Sequence, residues 1–221
     1  MAMFIAKDQT FVMAGDSITE SAAAHRPPAT PPLDGPTEPL GYGYVTIVHS
    51  LLATVYPQLG IRVINAGRGG DTTPTLQARW QRDVLDLRPD WVSLMIGIND
   101  SDPWRQPVTK HNLVSLDIYR ATLDEIVAQT LPRVRGLILL TPFYLMTDRL
   151  HPYRSSVDEY VAAVREIAAR RGAMLVDTQA AFDELLKTVP FESLSHDRVH
   201  PNQAGHTVIA RSVCKAVGLE W

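Results

Sequence analysis

Four short motifs of glycine and polar residues follow one another along the chain. They are Gly15-Asp16-Ser17, Asn65-Ala66-Gly67-Arg68-Gly69-Gly70, Gly97-Ile98-Asn99-Asp100 and Asp197-Arg198-Val199-His200. Together they contain a hydroxyl nucleophile, hydrogen-bond donors for an oxyanion, an imidazole base and a carboxylate that can orient the base. An acyl-transfer site needs these groups. Each motif alone is common, but the four in this order indicate nucleophilic attack on a carbonyl carbon.

The first three motifs supply the candidate nucleophile and oxyanion donors. Gly15 permits a tight turn that exposes the Ser17 hydroxyl at the end of a predicted strand. The backbone N–H of Gly70 and the side-chain amide of Asn99 are candidate donors to an oxyanion. Taken singly, the same residues are also typical of a helix cap, a flexible glycine turn and an Asx turn.

The last motif supplies the candidate base. Asp197 can accept the Nδ1 proton of His200, which leaves Nε2 free to take a proton from Ser17. Pro201 disfavours helical geometry at the residue before it, so this motif is expected on a bend. His196 is the competing histidine, but neighbouring residues of an extended segment point to opposite sides, which disfavours its pairing with Asp197.

The remaining histidines and the single cysteine are predicted to have no catalytic role. We expect His206 to be packed or hydrogen-bonded inside the last helix, and Cys214 to be a buried packing residue. The histidines expected at the surface or the rim of the site are His25, His49, His111 and His151.

Apolar runs that alternate with amphipathic segments predict an α/β fold with a five-stranded parallel sheet and helices on both faces. Strands are predicted at residues 10–14, 61–65, 91–96, 137–141 and 174–177. Helices are predicted at residues 44–55, 75–87, 112–129, 156–171 and 201–217. A flavodoxin-like strand order, 2-1-3-4-5, would bring the loops after the first three strands together at one point.

Length and composition predict one domain over residues 1–221. The net charge of −3 argues against nucleic acid as a partner, and no apolar run is long enough to span a membrane. We see no metal-binding motif and expect no metal and no cofactor.

The apolar run at residues 3–6 is too short for an export signal, which predicts a cytoplasmic location. Residues 21–43 contain six of the 16 prolines and are predicted to form an irregular loop beside the site.

The motifs resemble those of the SGNH family of serine hydrolases, also called GDSL-like esterases. The family is named after a serine, a glycine, an asparagine and a histidine, which here match Ser17, Gly70, Asn99 and His200. The resemblance implies Asp197 as the third member of a catalytic triad and a three-layer α/β/α flavodoxin-like fold. It also implies an oxyanion hole formed by the backbone N–H of Ser17 together with Gly70 and Asn99. The family motif has leucine where this chain has Ile18, which is a mild change.

Further segments resemble the acetylxylan esterase branch of that family. They are residues 41–44, 91–100, 104–105, 141–144, 177–182 and 197–201. This branch removes acetyl groups from xylo-oligosaccharides, so the resemblance implies a small acetylated saccharide as the substrate. Two departures concern the substrate and not the catalytic groups: His196 stands where some relatives have an aromatic residue, and residues 101–103 form an insertion before Trp104.

Aromatic residues after the third and fourth strands are candidates for contact with a sugar. The rings of Trp104 and Tyr144 are each compatible with packing on a sugar or in the core, whereas Phe143 is expected in the core. Two other functions stay open. A short-chain lipid esterase or thioesterase of the same family would need an apolar trough, which the polar 21–43 loop does not favour. A catalytically silent carbohydrate-binding relative would not need the complete catalytic set. A homo-oligomer is compatible with the sequence.

Overall fold

A parallel sheet of five strands lies at the centre of this computed structural model, which describes residues 3–23, 39–101 and 114–219. The strands are β1 (Thr10–Gly15), β2 (Arg62–Gly67), β3 (Trp91–Met95), β4 (Gly136–Leu140) and β5 (Met174–Val176). Their order across the sheet is β2-β1-β3-β4-β5, and every neighbouring pair is parallel. The predicted strand order is therefore confirmed.

Eight α-helices of the described residues surround the sheet. They are α1 (Ser17–Glu20), α2 (Tyr44–Val55), α3 (Thr73–Asp83), α4 (Ile98–Ser101), α5 (Leu116–Thr130), α6 (Pro152–Arg171), α7 (Thr178–Leu185) and α8 (Gln203–Ala216). The bounds predicted for α2 are confirmed. The predictions contain no helix corresponding to α1, α4 or α7, of which α1 and α4 are single turns.

Capping residues explain why several predicted helix bounds were wrong. The predicted 75–87 helix instead begins at Thr73, where Thr72 and Thr75 form a capping box, and its end is a separate 3₁₀ turn at Leu85–Leu87. The predicted 156–171 helix begins earlier, at Pro152, after the cap His151. The last helix begins two residues later than predicted, because Asn202 and not Pro201 precedes its first turn. Part of the predicted 112–129 helix lies outside the described residues.

Successive residues of β1 pack against opposite helical layers. Phe11 and Met13 belong to one apolar cluster with side chains of α2, α7 and α8. Val12 and Ala14 belong to a second cluster with side chains of α3 and α5. The sheet is thus buried on both faces, which accounts for the apolar strand sequences and confirms the three-layer prediction.

Other core predictions are confirmed as well. Cys214 is fully buried. Phe143 is also fully buried and packs on Phe182 with a ring-centroid separation of 4.5 Å. Among the described residues, no helix is both long enough and apolar enough to cross a membrane.

The two described ends of the proline-rich loop lie together beside α1. The Tyr42 backbone N–H donates to the Ser21 carbonyl oxygen at 2.8 Å. Residues 24–38 of the predicted 21–43 loop lie outside the described residues. The loop therefore leaves and rejoins the fold close to the end of the helix that begins with Ser17.

Candidate active site

The turn from β1 into α1 positions the Ser17 hydroxyl. Asp16 precedes the helix, and its Oδ1 accepts a hydrogen bond from the Ile18 backbone N–H at 3.0 Å. A Cβ added at Gly15 would lie 2.2 Å from Thr19 Oγ1 and 2.4 Å from the Met95 carbonyl oxygen. Only glycine therefore allows this close turn, which places Ser17 at the first position of a helix.

Ser17, His200 and Asp197 form a continuous hydrogen-bonded series. Ser17 Oγ lies 3.1 Å from His200 Nε2, and His200 Nδ1 lies 2.7 Å from Asp197 Oδ2. These distances suit a proton transfer from the hydroxyl to the imidazole, with the carboxylate holding the ring. The structure thus brings the first and last motifs together, as the site prediction requires.

The other carboxylate oxygen of Asp197 is held by three donors. Oδ1 accepts hydrogen bonds from the backbone N–H groups of His200 at 2.7 Å and Val199 at 3.0 Å, and from Ser195 Oγ at 3.0 Å. Partial burial by itself raises the pKa of Asp197. The hydrogen bonds, first of all that from the His200 side chain, outweigh burial and lower this pKa to about 2. Asp197 therefore stays ionised over the whole working range of a histidine base.

Arg198 holds the turn between Asp197 and His200. Its φ of 71° lies in the left-handed region, which costs energy for a residue with a side chain. Its carbonyl oxygen accepts from the Leu145 N–H at 3.0 Å, and its guanidinium donates to the Leu145 carbonyl at 2.8 Å. The guanidinium also stacks 3.4 Å above the centre of the Phe191 ring. These contacts compensate for the strained backbone.

Each of the three N–H groups that the sequence proposes as oxyanion donors has a hydrogen without an acceptor in the described residues. The side chain of Asn99 uses one amide hydrogen to donate to the Asp71 carbonyl at 2.9 Å, which leaves the other free. Gly70 has a φ of 79°, and a Cβ there would meet no atom within 4 Å, so open space lies beside it. In the described part of the chain, neither the Ser17 nor the Gly70 backbone N–H has an acceptor.

Two residues hold the glycine-rich loop against α1, and the sequence predictions assigned neither a role. Asn65 Nδ2 donates to the carbonyls of Thr19 and Leu40, each at 2.8 Å, while its Oδ1 accepts from the Gly67 N–H at 2.9 Å. The Glu20 carboxylate accepts from the backbone N–H of Gly69 at 3.0 Å. Asn65 begins the second motif, and this position next to the glycines was the signal in the sequence that could have indicated its role.

Two buried carboxyl groups interact with each other, and one of them belongs to the residue before Ser17. Burial raises the pKa of Asp16 to about 7, against the opposing effect of its hydrogen bond from Ile18. Burial likewise raises the pKa of Asp100 to about 6, although Thr73 donates both its backbone N–H and its hydroxyl to Asp100 Oδ1. Low solvation therefore disfavours negative charge on both carboxyl groups.

His206 and His196 are placed as the sequence predicts. His206 is buried, its Nδ1 accepts from the Tyr44 backbone N–H at 3.2 Å, and burial lowers its pKa to about 4. His196 is exposed, and the carboxylate of Asp197 contacts His200 instead. His49 and His151 are partly buried.

Of the two candidate sugar-contacting residues, the structure describes only Tyr144, which has no open aromatic face. Tyr144 is only 4% exposed and packs against the rings of His151 and Tyr153. Trp104 lies outside the described residues, as do His25 and His111. Within the described ranges, no group of three His, Cys, Asp or Glu side chains is arranged to hold a metal ion.

A model of the GDSL-like lipase/acylhydrolase family matches residues 13–208. The chain belongs to this family. A GDSL-like acylhydrolase of this kind is a carboxylic ester hydrolase, and the four motifs all lie within the matched residues. The comparison agrees with the resemblance that the sequence motifs indicate.

Full-length relatives of this GDSL-like enzyme share both sequence and fold. An acetylxylan esterase of Geobacillus stearothermophilus is 46% identical over 222 residues, which cover 99% of this chain and 98% of the relative. The crystal structure of that esterase, Axe2, matches with a TM-score of 0.90 over 99% of this chain and 98% of its own. LAE5, an alpha/beta hydrolase from the metagenome of Lake Arreo, is 40% identical and matches with a TM-score of 0.91 over 99% of both chains. Catalytic mutants of Axe2 with a serine, a histidine or an aspartate changed to alanine also match.

Proposed function

We propose that this esterase removes acetyl groups from acetylated xylo-oligosaccharides, with Ser17 as nucleophile, His200 as base and Asp197 as the residue that orients the base. The observation that carries the proposal is the series of short contacts from Ser17 Oγ through the imidazole to the carboxylate, at 3.1 and 2.7 Å. The 46% identity to an acetylxylan esterase along the whole chain supports the substrate class.

The first half of the reaction forms an acyl-enzyme. His200 Nε2 takes the hydroxyl proton as Ser17 Oγ attacks the acetyl carbonyl carbon. The carbonyl oxygen becomes an oxyanion and accepts hydrogen bonds from the backbone N–H groups of Ser17 and Gly70 and from the Asn99 amide. The tetrahedral intermediate collapses when the sugar oxygen leaves with the proton from His200.

The second half releases acetate. His200 takes a proton from water, and the resulting nucleophile attacks the acetyl-serine carbonyl. The same three donors stabilise the second oxyanion, and His200 returns the proton to Ser17 Oγ as acetate leaves. Side chains of this protein carry every proton transfer in the sequence, so none of the steps requires a cofactor.

Replacing the nucleophile tests the mechanism. We expect Ser17→Ala to lower kcat on an aryl acetate by about 10⁶, as in other serine hydrolases in which the triad acts as a unit. Ser155→Ala is the matched control, because Ser155 is exposed at the start of α6 and, among the described residues, its hydroxyl donates only to the neighbouring Pro152 carbonyl. Hydrolysis by Ser17→Ala at the parent rate would contradict the assignment.

A substrate panel tests the specificity. Acetylated xylobiose, acetylated glucose, an aryl acetate and an aryl octanoate are compared on the parent and on Ser17→Ala. We expect the highest kcat/KM on acetylated xylobiose. Preference for the octanoate would favour a lipid esterase, and failure of a serine-directed phosphonate to label Ser17 would favour a silent binding protein. Action inside the cell on imported oligosaccharides stays a prediction, which fractionation of the host tests.

A further inference from the structure

We propose that Arg79 is a positioning residue for catalysis, whose guanidinium holds the nucleophile turn and the oxyanion loop in their working arrangement. The proposal rests on the function proposed for Ser17, Gly70 and Asn99. Arg79 lies in α3, is 6% exposed, and shares the inner face of that helix with Leu76 and Trp80.

The guanidinium contacts two strand ends and one loop side chain. Nη2 donates to the Ala66 carbonyl of β2 at 2.9 Å and to the Gly15 carbonyl of β1 at 3.3 Å. Nε donates to Asp71 Oδ2 at 2.6 Å, and Nη1 reaches the more exposed Asp83 at 3.4 Å. One cation therefore links β1, β2 and the loop that follows β2.

Each of these contacts lies next to a group of the proposed reaction. Gly15 ends β1 two residues before Ser17, so its carbonyl belongs to the turn that presents the nucleophile. Asp71 follows Gly70 directly, and its carbonyl accepts the hydrogen bond that orients the Asn99 amide at 2.9 Å. Asp71 thus connects Arg79 to both proposed oxyanion donors of this loop region, the Gly70 backbone N–H and the Asn99 side-chain amide.

An arginine suits this position for a geometric reason. Its planar fork presents several N–H donors in fixed directions, whereas a lysine ammonium is a point charge on a flexible stem. Here the fork satisfies two carbonyls and one carboxylate that face it from separate segments. Without those bonds, the β1 turn and the Gly70 loop lose a common anchor, and small displacements at such a site are costly for rate.

A merely structural ion pair is the competing explanation, and three variants separate the two. Arg79→Lys keeps the charge beside Asp71 but not the fork, and Arg79→Met removes both. Thr130→Val is the matched control, because Thr130 Oγ1 accepts a 2.9 Å hydrogen bond from the buried indole of Trp80, the residue beside Arg79 in α3. This control weakens the packing of the same helix without touching the site.

The experiment measures kcat and KM on an aryl acetate, well below each variant's unfolding temperature. We expect kcat to fall about 10-fold for Arg79→Lys and about 10²-fold for Arg79→Met, with KM nearly unchanged. The affinity for a boronic acid that forms a tetrahedral adduct on Ser17 should fall by similar factors. Thr130→Val should lose stability yet keep the parent's kcat and boronate affinity.

Two results would overturn the proposal: a folded Arg79→Lys with kcat and boronate affinity within twofold of the parent, or equal losses of kcat in Thr130→Val. If Arg79→Met does not fold, Arg79→Lys alone decides. A different result would contradict the proposed function: hydrolysis of the aryl acetate by Ser17→Ala at the parent rate. A preference for another sugar leaves the Arg79 measurement intact, because the aryl ester needs no sugar contact.

Discussion

Replacing Asp197 by asparagine should trap His200 in the wrong tautomer. The carboxylate accepts at both oxygens, but the two sides differ. Oδ1 faces three donors, which are the backbone N–H groups of Val199 and His200 and the Ser195 hydroxyl. In the described part of the chain, Oδ2 faces only His200 Nδ1. An asparagine amide has one oxygen and one NH₂ group, so its orientation decides what His200 meets.

The three donors determine that orientation. If the NH₂ group of asparagine stood at the Oδ1 side, the two bonds from the backbone N–H groups would be lost, at a cost of about 2 kcal/mol. The Ser195 hydroxyl, which also donates to the His200 carbonyl at 2.7 Å, would lose one of its two acceptors. The oxygen therefore stays on that side, and the NH₂ group faces His200 Nδ1. Nδ1 must then accept, which puts the ring proton on Nε2, the nitrogen 3.1 Å from Ser17 Oγ. A protonated Nε2 cannot take the serine proton.

We expect Asp197→Asn to lower kcat by about 10⁴, equivalent to about 5 kcal/mol in the activation free energy. The assay is the steady-state hydrolysis of an aryl acetate at pH 7.5 by parent and variant. Asp124→Asn is the matched control. Bonds from Arg171 and Arg170 lower the pKa of Asp124 to about 2 as well, but the closest partners of that carboxylate are on α6 and not in the site.

A loss of less than tenfold in Asp197→Asn would refute this reasoning. It would indicate a Ser17–His200 dyad in which a backbone carbonyl or water orients the ring. If kcat fell as much in Asp124→Asn as in Asp197→Asn, the loss would reflect the removal of a buried or paired carboxylate in general and not the tautomer of His200.

Two further predictions concern stability. Arg198 has a φ of 71°, so Arg198→Gly should be about 1 kcal/mol more stable in urea unfolding than Arg198→Ala. Both variants lose the same side-chain contacts, but only the alanine variant keeps the backbone strain. Equal free energies of unfolding would contradict the claim that the turn is strained. Burial lowers the pKa of His206 from 6.5 to about 4, so the unfolded chain takes up this proton first as the pH falls. The contribution of His206 to the free energy of unfolding is complete above pH 6.5 and is lost as the pH falls towards 4. In urea titrations at pH 7.5 and 4.5, the stability gap between parent and His206→Gln should narrow by up to about 3 kcal/mol, whereas a constant gap would count against a buried neutral imidazole.

The fold was largely predictable because its signals are local. Strands buried on both faces have apolar sequences that need no partner to be identified, and α2 has a clear apolar face. The helix α7 was missed because Asp177 was assigned to the end of a strand. In the structure, the Asp177 side chain accepts from the Ala180 N–H and begins α7. In the sequence, an aspartate that caps a helix cannot be distinguished from one that ends a strand. The difference appears only in the structure of the residues that follow.

The groups that support the site were not predictable in the same way. Asn65 and Arg79 both hold elements of the site, yet neither stands in a motif that predicts its partners. Arg79 Nη2 donates to a carbonyl 64 residues earlier in the chain. Every residue has a backbone carbonyl, so the sequence does not indicate which one an arginine will contact. The one available signal was an arginine between Leu76 and Trp80 on the buried face of α3. An arginine at such a position needs several acceptors, but only the fold identifies them.

The sequence by itself determined the candidate reactive groups of this protein and its α/β class, because side-chain chemistry and the periodicity of apolar residues are local properties. Tertiary structure alone decided which of these groups meet. Ser17 and His200 are 183 positions apart, and their 3.1 Å contact exists because the fold packs the segment before α8 beside the turn that follows β1. That packing depends on the burial of both faces of the sheet at once, a property of the whole chain and of no single motif.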